Sequence, residues 1–109
     1  MQFNQKQNLM KLNIIYSGDL GDGNISLDID EQSRISELID LFHKSIEKPK
    51  SYQIGGGAPP HRRIIDIDYD YQINGRRITE NNEMDSLNTF GIKDESKIYL
   101  QIGGGGKVD

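Results

Sequence analysis

Side chains that do chemistry are sparse in this chain, and the stretch that stands out carries none: Gly103, Gly104, Gly105 and Gly106 run together, with Lys107-Val108-Asp109 behind them. Four glycines and a lysine suggest a phosphate-binding loop. That motif needs a glycine where Gln101 stands, a Ser or Thr where Val108 stands, and a helix afterwards, so the spacing rejects nucleotide binding. Asp66, Asp68 and Asp70 form a row of carboxylates. Alternate residues of a strand project in a line about 7 Å apart and do not converge on one ion as a loop does, so the row reads as a solvated strand face. Arg62 and Arg63, with Arg76 and Arg77, read as a wet rim in preference to a basic patch. His43 falls off the nearest apolar stripe, His61 falls in a loop, and neither has a paired ligand. The absence of cysteine removes disulfides, thiolate metal sites and cysteine nucleophiles together. No nucleophile, base and orienting group can be placed side by side, so neither a catalytic residue nor a metal or cofactor is expected.

Length and composition bound the rest. At 109 residues, 34% hydrophobic and 28% charged, the chain fits one domain with one modest core. A formal charge of -4 argues against broad nucleic-acid affinity, which needs a basic surface to displace counterions. No apolar run is long enough to span a bilayer and no signal-like segment follows Met1, so no membrane partner and a cytoplasmic or nuclear location are expected.

The elements that would carry the glycines follow from periodicity. Residues 1–9 are polar and without period and read as a disordered extension. Leu12, Ile14 and Tyr16 alternate with Lys11, Asn13 and Ile15, and Ile25, Leu27 and Ile29 with Asn24, Ser26 and Asp28. Two strands around the loop SGDLGDG predict an antiparallel hairpin. Ser33 is the expected N-cap of a helix whose Ile35, Leu38, Ile39, Phe42 and Ile46 lie on one stripe of a 3.6-residue period, and Pro49 stops it. From Glu47 to about Ile64 the composition predicts a loop insertion, with Gly55 to Gly57 at its surface. Residues 64–73 alternate throughout, Ile65, Ile67, Tyr69, Tyr71 and Ile73 against Asp66, Asp68, Asp70 and Gln72, and predict a long strand with one wet face. Asn74-Gly75 then predicts a type I′ turn, since both its central residues need positive φ. Met84, Leu87, Phe90 and Ile92 are expected to close the core, and Ile98, Leu100 and Ile102 to line a last strand. After Ile102 no side chain fixes the conformation, so 103–109 reads as a flexible tail. The prediction is an α+β fold, a mixed sheet wrapped around one helix.

That layout resembles the ubiquitin-like β-grasp over residues 10–106. The resemblance rests on Gly57-Ala58-Pro59-Pro60 after the helix, Gly75-Arg76-Arg77-Ile78 at the turn, Leu87-Asn88-Thr89-Phe90-Gly91-Ile92, and Glu95-Ser96-Lys97-Ile98-Tyr99-Leu100 leading to glycines. Pro60 to Gly75 is about six residues longer than in the shortest such folds, and the loop before Leu87 about three longer.

The resemblance implies a protein modifier that catalyses nothing. A protease would remove the residues after a glycine pair, activating and conjugating enzymes would carry the glycine carboxylate, and an amine on a target would take it. Gly103 to Gly106 would be the conjugation tail, shorter than the family's, and a chain without side chains threads a narrow channel in extended form. The alternative is a non-catalytic interaction module or adaptor that binds a protein through its sheet face. A sulfur carrier is the weaker third option, because residues follow the glycines. In ubiquitin the sheet face is aliphatic; the matching positions here are Gln72 and Gln101, beside Tyr99. Ordinary ubiquitin receptors are therefore expected to bind poorly, and Gln72, Arg76, Arg77, Tyr99 and Gln101 form the alternative partner surface of an expected monomer.

Overall fold

In the computed structural model, which describes residues 9–56 and 63–104, strands β1 (Leu9–Gly18) and β2 (Gly23–Asp30) form the expected antiparallel hairpin. Met10, Leu12 and Ile14 are buried on its inner face with Leu27 and Ile29. Its turn buries Leu20, which loop composition does not reveal.

Helix α1 spans Ile35–Ile46, and Ile35, Leu38, Ile39 and Phe42 of the stripe are buried. Each such side chain removed from water is worth about 1.5–3 kcal/mol. The N-cap is Arg34, one residue beyond the expected Ser33. Ser33 is instead buried, its amide donating to the Asp30 carbonyl at 2.9 Å, while the Arg34 amide donates to Glu37 Oε1 at 3.1 Å. The helix ends on Glu47, whose φ of 56° is left-handed.

The stretch read as a loop insertion contains a strand. β3 (Ser51–Gly56) pairs antiparallel with the first part of β4 (Arg63–Ile73), in register from Ser51 opposite Asp68 to Gly56 opposite Arg63. The second part of β4, from Tyr69 to Ile73, pairs with β6 (Lys97–Gly104). β4 therefore runs on past the main sheet, and β3 accompanies that extension. Asn74 and Gly75 have φ of 51° and 82°, as a type I′ turn requires, and lead into the two-residue β5, Arg76–Arg77. A short 3-10 helix at Leu87–Phe90 buries Leu87, and Ile92 is buried beyond it. Met84, expected in the core, is 54% exposed.

β6 lies in the middle, parallel to β1 and antiparallel to β4, in the order β2-β1-β6-β4-β3 with β5 on β4. α1 crosses the inner face. A chain of rings joins the two ends of this core: Tyr16 to Phe42 at 5.0 Å, Phe42 to His43 at 5.5 Å, His43 to Tyr69 at 6.2 Å and Tyr69 to Tyr52 at 5.1 Å. Through this chain the β3 hairpin is tied to the helix. The N-terminal extension before Leu9, His61, Arg62 and the residues from Gly105 onward lie outside the described residues.

Candidate functional site

The glycine run divides in two. Gly103 and Gly104 are the last residues of β6, opposite Asp70 and Tyr69 of β4, so the flexible tail expected from 103 does not begin there. Strand pairing uses backbone groups, and the length of β4 supplies partners that no side chain after Ile102 was needed to provide. The two glycines differ in what surrounds them. A Cβ on Gly104 would stand 2.9 Å from Asp19 Oδ2 and 3.0 Å from the Tyr52 hydroxyl, whereas a Cβ on Gly103 would meet nothing within 4 Å. Gly103→Ala is accordingly expected to raise stability by about 0.5 kcal/mol, through the unfolded chain's lost freedom. Gly104→Ala is expected to fall about 1 kcal/mol below it, because Asp19 and Tyr52 must shift. Thermal melts of the two variants side by side check the difference.

The outer sheet face gathers four of the five residues assigned to it. Gln72 stands directly opposite Gln101, and Arg77 flanks Gln72 on β5 with a guanidinium nitrogen 3.9 Å from an Asp70 carboxylate oxygen. Tyr99 lies beside Ile15 and is 55% exposed. Its backbone is fixed by Asn74, whose amide donates to the Tyr99 carbonyl at 2.9 Å and whose Oδ1 accepts from the Tyr99 amide at 2.9 Å. Arg76 does not join them. It stands opposite the buried Ile73, so it emerges on the other face, with its guanidinium carbon 4.4 Å from the centre of the Phe90 ring.

The polar pair that the sequence reading missed joins a buried histidine to a half-buried tyrosine. His43, off the stripe by helical period, is 3% exposed between α1 and β4. Its Nδ1 lies 3.2 Å from the Lys48 carbonyl and its Nε2 2.6 Å from the Tyr71 hydroxyl. A carbonyl only accepts, so Nδ1 carries the proton and Tyr71 donates to Nε2. Burial, ahead of the charge of Asp68, pushes the Tyr71 hydroxyl well above its ordinary range and keeps it a donor. Burial likewise lowers the His43 pKa from 6.5, against the opposing pull of the Lys48 carbonyl. The unfolded chain therefore takes up a proton at a higher pH than the folded one, so stability is full above about pH 6.5 and falls as pH drops below it. Urea melts between about pH 7.5 and 5.5 are expected to show this loss, with a slope of up to about 1.4 kcal/mol per pH unit, and His43→Gln is expected to flatten it.

One helix across a mixed sheet, with the last strand central and parallel to the first, decides the architecture. The fold is a ubiquitin-like β-grasp. It matches a solved chain from work on molecular mimicry of SUMO in the promotion of DNA repair, with a TM-score of 0.55 at 11% identity, over 89% of this chain and 95% of that one. It also matches the ubiquitin-like domain of an Arabidopsis thaliana protein, with a TM-score of 0.51 at 15% identity, over 92% and 85%. No known family model matches the sequence, and no curated protein does. The β3 hairpin lengthens one edge of this β-grasp and places the Tyr52 hydroxyl 3.0 Å from where a Cβ on Gly104 would stand.

Proposed function

We propose that this β-grasp protein is a modifier, matured after a glycine and joined through that glycine's carboxylate to amines on target proteins. The observation that carries the reading is Gly103. Neither a positive φ nor a crowded Cβ position calls for glycine there, and packing accounts for Gly104 alone. Glycines beyond what packing needs fit a chain that must lie extended in enzyme channels. A protease would hydrolyse the peptide bond after Gly105 or Gly106. An activating enzyme would then join the freed carboxylate to AMP, releasing pyrophosphate from ATP, and pass the acyl group to a cysteine thiol with release of AMP. Attack by a lysine amine would release the thiol and leave an isopeptide. With no cysteine in this chain, the thiols belong to the activating and conjugating enzymes. This chemistry belongs to the cytoplasm or nucleus.

The pairing of Gly103 and Gly104 with β4 favours a second reading, a non-covalent module that binds a protein through Gln72, Arg77, Tyr99 and Gln101. Intact mass of the protein from its own cells, with a search for isopeptide adducts, separates the two. A chain ending at Gly105 or Gly106 together with adducts supports the modifier. A chain ending at Asp109 without adducts overturns it.

A further inference from the structure

The sheet edge away from β6 is interrupted. β3 accompanies β4 as far as Asp68 and β5 resumes at Gln72; between them the Tyr69 amide donates to the Lys50 carbonyl at 3.3 Å and the Tyr71 carbonyl accepts from the Ile78 amide at 2.9 Å, and no strand lies on this edge between those two bonds. The gap opens into a groove of about 690 Å³, bounded by α1 on one side and by the segment from Ile78 to Glu83 on the other. Three residues span about 10 Å, too short for strand addition but wide enough for side chains to enter. Ile39, Tyr71 and Ile78 give the groove apolar walls.

Its charge is one-sided. Asp40, Asp68, Asp70, Glu80 and Glu83 line it against Lys50 and Arg77, five carboxylates against two cations, an excess of three negative charges. Both cations are already engaged, Lys50 with Asp40 and Arg77 near Asp70. Asp68, Glu80 and Glu83 carry no ion pair among the described residues. A concave wall of one sign concentrates its field on whatever enters.

We propose that this groove docks lysine or arginine side chains from an extended segment of a partner protein. Such side chains lay their aliphatic stems along apolar surface and keep the charge at the tip, which matches a groove lined by both Ile39, Tyr71 and Ile78 and the carboxylates. The site shares Arg77 with the outer-face surface but takes in neither Tyr99 nor Gln101, and it acts whether or not the chain is conjugated.

The test is an amide-resolved NMR titration of the full chain with a blocked hexapeptide of alternating alanine and arginine, and with its glutamate counterpart. Saturable shifts are expected at 68–71 and 78–83 with the arginine peptide and none with the glutamate one. Asp68→Asn with Glu80→Gln is expected to weaken binding roughly tenfold. Asp28→Asn with Glu31→Gln, which removes the same charge elsewhere, is expected to cost less than about twofold. The amide spectrum reports the fold of each variant directly. Shifts spread over every acidic surface, equal losses in the two variants, or no saturable shift would each overturn the proposal.

Discussion

Replacing Gly18 with alanine is expected to destabilise the fold by about 3 kcal/mol or more. Gly18 closes β1 with a φ of 121°, a backbone state that side chains rarely adopt, and its Cβ would lie 1.9 Å from the Ile102 carbonyl oxygen. That overlap is with backbone, so no rotamer relieves it. The same carbonyl accepts the Asp19 amide at 2.9 Å, so the strand that moves is the one leading into the glycines. Relief therefore costs a hydrogen bond of about 1 kcal/mol as well as the strained φ. Gly21 provides the comparison, with a φ of 94° but nothing within 4 Å of its Cβ. Gly21→Ala is expected to cost about 1–2 kcal/mol, conformational strain alone. Urea midpoints of the two variants measure the difference. Equal losses would mean that β1 and β6 do not approach as closely as described.

Much of the fold was legible because the informative signals are local. Alternation placed Leu12, Ile14, Ile98 and Ile102 on the inner face, and Asn74-Gly75 set the turn before β5. What was hidden depends on partners distant in sequence. β3 is short and ends in glycines, so its composition reads as loop; what makes Ser51 to Gly56 a strand is the first half of β4 beyond the 57–62 segment. The signal that was available was Tyr52-Gln53-Ile54, an aromatic and aliphatic alternation whose register sets Tyr52 opposite Ile67 and Ile54 opposite Ile65. His43 was hidden because its hydroxyl partner, Tyr71, is 28 residues away and widens the buried side of the helix beyond an apolar stripe. Gln72, Arg77, Tyr99 and Gln101 were placed together by the ubiquitin-like resemblance, with which strand alternation agrees. The same alternation, applied to the two residues of β5, separates Arg76 from Arg77. Gly103 and Gly104 were misplaced for the opposite reason, since glycine's freedom is a property of an unpaired chain and these two are paired.

Phe42→Ala is expected to cost about 3–5 kcal/mol, because the ring is fully buried and its removal leaves a cavity between helix and sheet. Phe42→Leu, which refills most of that volume, is expected to cost about 1–1.5 kcal/mol. The comparison also tests how the β3 hairpin is held. Phe42 is the second ring in the chain from Tyr16 to Tyr52, and it supports His43, on which Tyr69 stacks with an interplanar angle of 22°. If that chain anchors the hairpin, hydrogen exchange in Phe42→Leu, where the core survives but the ring edge is lost, accelerates at Tyr52 and Tyr69 more than at Leu12 or Leu27. Uniform acceleration would instead mean that β3 and β4 are secured by strand pairing alone. The close approach of the Tyr52 hydroxyl to Gly104 gives this outcome functional weight, since a hairpin loosened from the helix also loosens the packing around the last glycine of β6.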